Sequence, residues 1–404
     1  MFVVELYRSL NRLQPRRLAL YFRFKRFEQA WNRTFIRLLG KLMPAAPRES
    51  PDWASRPHRV LYLRHDKIGD MIISTSLIEA IAKSHPTITL DVLASPANAP
   101  VLEGNPHVSS VRVWDKARPS QYAHLWRELR RARYDAVVDC MILAPSTTTL
   151  LLMLASGARH RIGIGGRIND YALTLRVPPA PSATHHIDHS AVLATAFGVN
   201  PDEIDWRPKI YLSERELAHA EHGWAGTKTD VTDCRRRMLV NVSAGRPMRR
   251  WPDRRFVQLI RHVRSAAPDM NVLVISAPLE SGRAVRIAAD GGARYASTTN
   301  LRDALALVAT ADIVVTPDTS IGHAASAFAR PAVILYERGN EVLWGGYGIP
   351  GRNVVSDDKT LATLPVEPVI AAVDALLEIS SSNPIAAPCA PGQNMQSHPS
   401  LRFQ

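Results

Sequence analysis

Between Arg59 and about Ile379, short apolar runs alternate with stretches whose apolar residues recur every three or four positions. That alternation predicts parallel β-α-β units. Strands are expected at residues 60–63, 89–93, 111–114, 136–140 and 161–164, with helices between them, the first over 71–84. A helix is expected over 185–197, and residues 200–210, with Pro201 and Pro208, read as a crossover. A second series follows, with strands at 238–242, 272–276, 313–316 and 332–336 and helices over 253–267, 281–289, 301–311 and 321–329. The economical architecture is α/β, two doubly wound domains over 59–205 and 206–379, with ligand held between them beyond the carboxyl ends of the strands.

Both ends break this pattern. Leu20, Phe24, Phe27, Trp31, Phe35, Leu38 and Leu42 recur at helical spacing, while Arg23, Arg26, Arg33, Arg37 and Lys41 fall elsewhere around the same helix. Residues 1–58 hold twelve Lys/Arg against four Asp/Glu, a net +8 of the chain's +13. A basic amphipathic helix with aromatics on its apolar face reads as a membrane-surface element over residues 16–43. Two other readings fit the same spacing: a helix packing its stripe on the body or on another copy, and nucleic-acid binding. Arg and Lys interrupt the apolar positions, which argues against a cleaved signal peptide. Pro44, Pro47, Pro51 and Pro57 mark a linker up to residue 58, and residues 380–404, rich in Ser, Pro and Ala, read as a disordered tail.

Composition narrows the class. The chain has 404 residues, 46% of them hydrophobic, enough for large cores without staples. Cys140, Cys234 and Cys389 are odd in number and far apart, so neither a disulfide framework nor a cysteine zinc site is indicated. A reducing compartment is the expected setting. No apolar run is long enough to span a bilayer.

Candidate chemistry lies in three loops that follow predicted strands. Arg64, Asp66, Lys67, Gly69 and Asp70 form a polar cluster after the first strand. Asp70 stands where a helix begins, so it fits either an N-terminal cap or a general base. The segment 241–252 brings Ser243, Gly245, Arg246, Arg249 and Arg250 ahead of a helix that Pro252 opens. Such a loop suits a diphosphate, or is a solvated basic loop. In the third, Asp318, Thr319 and Ser320 either cap the next helix or offer their N–H groups to phosphate, with His323 one turn further in.

Taken in order, these motifs resemble glycosyltransferase family 9, the bacterial heptosyltransferases of lipopolysaccharide core synthesis. Arg64, Asp66, Gly69 and Asp70 match its first motif. Asn241, Ala244, Gly245, Arg249, Trp251 and Pro252 match the second, and Asp318, Thr319, His323, Ala324 and Ala325 the third, with Ser320 in place of Gly. Trp344-Gly345-Gly346-Tyr347-Gly348 resembles a later aromatic segment. The resemblance implies a GT-B fold of two facing Rossmann-like domains, the first binding acceptor and the second nucleotide sugar. It implies inversion at the anomeric carbon with no metal and no cofactor beyond a nucleotide-sugar co-substrate, ADP-heptose being the family default. Asp70 would be the general base. Ser243, Arg249, Arg250, Asp318, Thr319, Ser320 and His323 would serve the donor diphosphate, and Arg64, Asp66, Lys67 and His186 the acceptor side. The acceptor would be a lipid-linked saccharide, and the protein would sit in the cytoplasm, peripheral on the inner face of the bacterial inner membrane.

Several positions depart from the family pattern. Arg249 stands where Lys is usual, Val242-Ser243 replaces Pro-Gly, Ser76 stands where Pro is common, and Tyr336-Glu337-Arg338 replaces Phe-Gly-Pro. A non-catalytic GT-B protein that binds a nucleotide sugar or glycolipid is the alternative these departures keep open. The fragment 161–166 lacks the spacing of a dinucleotide fingerprint and reads as a turn. His185, His186, Asp188 and His189 share one short stretch, but no further ligand completes a metal set, and contact with the acceptor or a structural role is expected.

Overall fold

The computed structural model describes residues 30–43, 45–142, 145–225 and 236–382. Leu20, Phe24, Phe27, Cys234, Cys389 and the tail from 383 onward lie outside the described residues. The first sheet contains β1 (His58–Arg64), β2 (Ile88–Ala94), β3 (Ser110–Val113), β4 (Ala136–Asp139), β5 (His160–Ile164) and β6 (Leu175–Val177). The second contains β7 (Arg237–Asn241), β8 (Asn271–Ile275), β9 (Arg294–Tyr295), β10 (Ile313–Pro317), β11 (Ala332–Tyr336) and β12 (Gly351–Val355). Spatial order is β3-β2-β1-β4-β5-β6 in one and β12-β11-β10-β7-β8-β9 in the other, parallel throughout. Counted from each domain's own first strand the two orders are the same, and β1/β4 and β7/β10 are the points where strand order reverses.

All nine predicted strands are present, their ends within two residues of those predicted. The edge strands β6, β9 and β12 were not predicted. Each has one unpaired side and partly exposed residues, so the continuous apolar run of an internal parallel strand is missing.

The helices are α1 (residues 30–42), α2 (Ile68–Ser84), α3 (Tyr122–Arg131), α4 (Thr147–Ser156), α5 (His186–Ala191), α6 (Glu214–Ala225), α7 (Asp253–Ala266), α8 (Ser281–Gly291), α9 (Leu301–Ala309), α10 (Ser320–Ala327), α11 (Glu341–Trp344) and α12 (Glu367–Ser382). The expected helix over 185–197 is α5 followed by a 3₁₀ turn over Val192–Phe197. α12 runs into the segment read as tail.

Alternation along the strands sorts the core into layers. Leu61 and Leu63 face an outer layer with Leu125 and Leu129 of α3 and Leu150 and Met153 of α4. Val60 and Tyr62 face inward, where one continuous apolar cluster takes in Met71 and Ile72 of α2, Leu239 and Leu273 of the second sheet, and Ala324 of α10. α2 packs against α10 across the domain boundary. Met238, Val240, Val272 and Val274 face a third layer with α7, α8 and α12.

The N-terminal arm departs from its expected arrangement in two ways. First, α1 docks on the outer layer, but not through the predicted stripe. Ile36 is fully buried among Leu61, Leu63 and Leu150, with Leu39 packed at the rim. Tyr171 donates its hydroxyl to the Ile36 carbonyl at 3.0 Å, and its ring lies so near Gly40 that a Cβ there would sit 2.7 Å from Cε1. Trp31, Leu38 and Leu42 remain 63%, 54% and 75% exposed, and Arg33, Arg37 and Lys41, elsewhere around the helix, are exposed too. Second, the proline-rich linker is fastened down. Trp53 is buried, stacks on Phe197 at 4.7 Å and donates its indole N–H to the Ala196 carbonyl. The amides of Ala46 and Glu49 donate to the Tyr171 and Thr174 carbonyls.

Candidate active site

The three loops singled out above leave the carboxyl ends of β1, β7 and β10, the strands at the two reversal points. They meet around a cavity of about 900 Å³ whose wall includes Lys67–Asp70 from the first domain and Ser243–Arg246, Arg249, Glu280, Asp318–Ile321, His323, Asn340 and Trp344 from the second.

In the first domain, Lys67 is the N-cap residue of α2 and gives no side-chain cap, and Asp70 is the third residue of the helix, in its first turn. Asp70 is therefore not the cap that its position in the sequence suggested. Its carboxylate lines the cavity, with Arg64 Nη2 3.7 Å away from Oδ1. Arg64 itself is buried and works from behind the loop. It donates Nε to the Asp70 carbonyl at 3.0 Å and Nη1 to the Cys140 carbonyl at 2.6 Å, and lies 3.6 Å from Asp66. Burial raises the Asp66 carboxyl, against the opposing pull of Arg64. Of the residues expected on the acceptor side, Lys67 reaches the cavity, whereas Arg64 and Asp66 brace the loop. His186 is buried and stacks on Trp344 at 4.4 Å, and burial pushes its ring down to about 2, so it is neutral. It backs the wall rather than forming it.

In the second domain, Asn241 ties two loops together. Its amide donates to Thr316 Oγ1 at 2.9 Å and Thr319 Oγ1 at 3.2 Å, and its carbonyl receives the Ser243 amide at 3.1 Å. Thr319 caps α10 by accepting from the Ile321 amide, which settles its side chain as a cap; Ser320 and Ile321, at the positive end of that helix, face the cavity. Ser243 accepts the Ala277 amide at 2.6 Å. Arg249 Nη2 lies 2.7 Å from Asp318 Oδ2 and its Nε 2.8 Å from Glu337 Oε1. Arg250 stands outside the wall, 4.0 Å from Glu280.

Burial dominates the electrostatics. It raises Asp318 to about 6, Arg249 pulling the other way and Glu337 adding to the rise. The ion pair at 2.7 Å does not offset loss of water plus a second carboxylate. His323 is pushed down to about 3, by burial first and then by His185, Arg249 and Lys67, so a neutral imidazole meets the cavity. Its Cδ2 would lie 2.7 Å from a Cβ on Gly69, making Gly69–His323 a close contact between domains. Gly69→Ala is expected to cost about 1–3 kcal/mol by overpacking and to depress kcat/KM more than tenfold (about 1.4 kcal/mol per factor of ten), since the methyl pushes the catalytic walls apart. Urea unfolding and steady-state kinetics check both; unchanged values mean His323 swings away freely.

Residues 122–365 match the family described as glycosyltransferase family 9 (heptosyltransferase). The chain belongs to this family. It is thus a glycosyltransferase, and its two-sheet architecture is the GT-B fold. Lipopolysaccharide core heptosyltransferase OpsX of Haemophilus influenzae is 20% identical over 74% of this chain and 84% of its own length. Lipopolysaccharide heptosyltransferase 2 of Escherichia coli K12 is 24% identical over 69% and 82%. Among solved structures, a family 9 glycosyltransferase from Veillonella parvula superposes with a TM-score of 0.69 at 19% identity, covering 80% of this chain and 98% of the other. E. coli ADP-heptose heptosyltransferase II gives 0.64 at 22% identity over 80% and 99%. At these identities the structures speak to the fold.

Sequence reasoning missed two acids of this glycosyltransferase's site. Glu280, in the loop after β8, accepts the Ala244 amide at 3.3 Å and lines the cavity; the strand before it was predicted, and its post-strand position was the available signal. Glu337, after β11, was noted as a departure from the family pattern without a role. The histidine cluster serves the domain boundary: His185 Nε2 is 3.1 Å from the Gly345 carbonyl, and Tyr347 donates its hydroxyl to Asp188 at 2.8 Å. Among the described residues, no three His, Cys, Asp or Glu side chains converge on a metal site.

Proposed function

We propose that this glycosyltransferase moves heptose from ADP-heptose, with inversion, to a lipid-linked saccharide in lipopolysaccharide core or related glycan synthesis. The observation that carries the reading is Asp70 on the first-domain wall of a cavity whose second-domain wall presents Arg249, Ser243 and the positive end of α10 to an anion. Asp70 takes the proton of the acceptor hydroxyl as that oxygen attacks the anomeric carbon from the face opposite the diphosphate. One displacement from the opposite face inverts the configuration. The diphosphate leaves with growing negative charge, which preorganised cations and a helix N-terminus stabilise without a metal. Arg250 approaches from the rim, Asp318 and Thr319 hold their loop, and neutral His323 contributes a hydrogen-bonding ring rather than a charge. Lys67 reaches across from the acceptor domain.

The arm belongs to the same reading. Trp31, Leu38 and Leu42 face outward while a different side of α1 docks on the protein, so the stripe is left for another apolar phase, and Arg33, Arg37 and Lys41 suit anionic headgroups at about 1 kcal/mol each. A protein held this way at the inner face of the inner membrane meets its lipid-linked acceptor there. Among the described residues no helix is long and apolar enough to cross a membrane.

Calorimetric titration with ADP, UDP, GDP and their sugars tests the donor. Tightest binding is expected for ADP-heptose. Preference for another nucleotide moves the protein to a different sugar, and binding of none overturns the reading.

A further inference from the structure

Two departures from the family pattern, noted separately in the sequence, meet in space. Arg249 replaces the usual Lys, Glu337 replaces the usual Gly, and Arg249 Nε donates to Glu337 Oε1 at 2.8 Å. On the other flank, Arg249 Nη1 donates to the Asp318 carbonyl at 3.2 Å and Nη2 lies 2.7 Å from Asp318 Oδ2. A cation that is to receive an anion is thus held between two buried carboxylates. Charge alone makes this arrangement poor, because the cluster of one cation and two acids repels a diphosphate.

Geometry gives the arrangement a use. A guanidinium has five N–H donors in a rigid plane. Two are engaged, Nε by Glu337 and one Nη1 hydrogen by the Asp318 carbonyl, while Nη2 faces the Asp318 carboxylate as an ion pair at 2.7 Å; one donor remains on Nη1 and two on Nη2. Arg249 lines the cavity and Glu337 does not, so the acid acts only through the arginine. Glu337 is fixed in turn by the Asn340 amide, which donates to the same Oε1 at 2.9 Å. A guanidinium hydrogen-bonded at Nε and at one terminal nitrogen, with a carboxylate against the other, cannot rotate, and its remaining donors keep one plane. An ammonium is a point charge on a flexible stem and has no plane to pin. Placed between the same two carboxylates it collapses onto them.

We propose that Glu337 is a positioning residue that, together with Asp318, aims the Arg249 guanidinium at the leaving diphosphate, and that it is required because residue 249 is Arg and not Lys. The inference rests on the donor reading above and adds the reason this chain carries an extra acid beside its phosphate cation.

The test is a cycle of four proteins, wild type, Glu337→Gln, Arg249→Lys and the double variant, each titrated by calorimetry with whichever of ADP, GDP and UDP wild type binds best. Removing a negative charge near an anion site strengthens binding if Glu337 is only a bulk charge. Positioning predicts the reverse sign: Glu337→Gln weakens the nucleotide about tenfold with Arg249 present (about 1.4 kcal/mol). In the Arg249→Lys background the same change strengthens binding, because it frees the ammonium. Equal effects in both backgrounds, or none, overturn the proposal. Should Glu337→Gln fail to fold, Glu337→Asp keeps the charge but withdraws it by one methylene, and weakening is again expected; unchanged binding overturns the proposal. Wild type that binds no nucleoside diphosphate sinks the donor reading and this inference with it, whereas tight wild-type binding with the wrong sign in the cycle sinks this inference alone.

Discussion

Asp70→Asn is expected to lower kcat by about 10³-fold, within the range that a positioned general base contributes, while leaving donor affinity within about twofold. The substitution keeps the shape of the side chain, and the contacts that hold the loop run through the Asp70 backbone carbonyl, which accepts from Arg64 Nε and Ser74 Oγ. The fold is therefore preserved and only the proton acceptor is removed. The proposed donor contacts lie on the second domain's wall of the cavity, at Arg249, Ser243 and the start of α10, and do not involve the carboxylate. Single-turnover rates with donor and acceptor, paired with calorimetry of the donor, separate the two effects. Equal loss of both would make Asp70 a binding residue, and full activity would remove it from the chemistry.

The second large effect concerns the arm. Trp31→Ser, Leu38→Ser and Leu42→Ser together are expected to weaken sedimentation with anionic vesicles at least a hundredfold. Each side chain is mostly exposed, so the protein loses little stability, but each removes about 1.5–3 kcal/mol of apolar burial at a lipid surface. Binding by the unaltered chain is expected to fall with salt, since Arg33, Arg37 and Lys41 act across screened water. Nucleotide affinity stays the same, because the stripe is remote from the cavity wall. Deleting the whole arm is a poorer experiment: it also takes away Ile36 and exposes the apolar layer beneath it. Vesicle binding unchanged by the triple substitution would show that α1 is not the anchor.

Which parts of this were legible in the sequence follows from what a side chain reports. β1, β7 and β10 read clearly because an internal parallel strand is covered on both faces and so becomes an unbroken apolar run. The loops behind them carried the site because ligands gather at reversal points, and the reversal points happen to follow the strands with the plainest signal. β12 opens Gly351-Arg352-Asn353, exposed on an edge, and no period marks it. Glu337 and Glu280 were opaque for another reason: an acid after a strand is ordinary until the fold places it beside an arginine. In the arm, spacing found the stripe correctly as far as the described residues go, but spacing cannot say which of two apolar faces finds a partner. Ile36 and Leu39 lie around the helix from Trp31 and Leu38, and the outer apolar layer with Tyr171 receives that smaller face.

The fastening of the arm also sets an order of events during synthesis. Trp53 is held by Ala196, 143 residues later in the chain, and Ile36 by Tyr171, 135 residues later. At about 5–20 residues per second, the ribosome takes roughly 7–30 seconds to deliver those partners after the arm has emerged. Throughout that interval the arm has two unsatisfied apolar faces instead of one. A chain at that stage therefore carries more exposed apolar surface than the finished protein, in which the Ile36 face is covered.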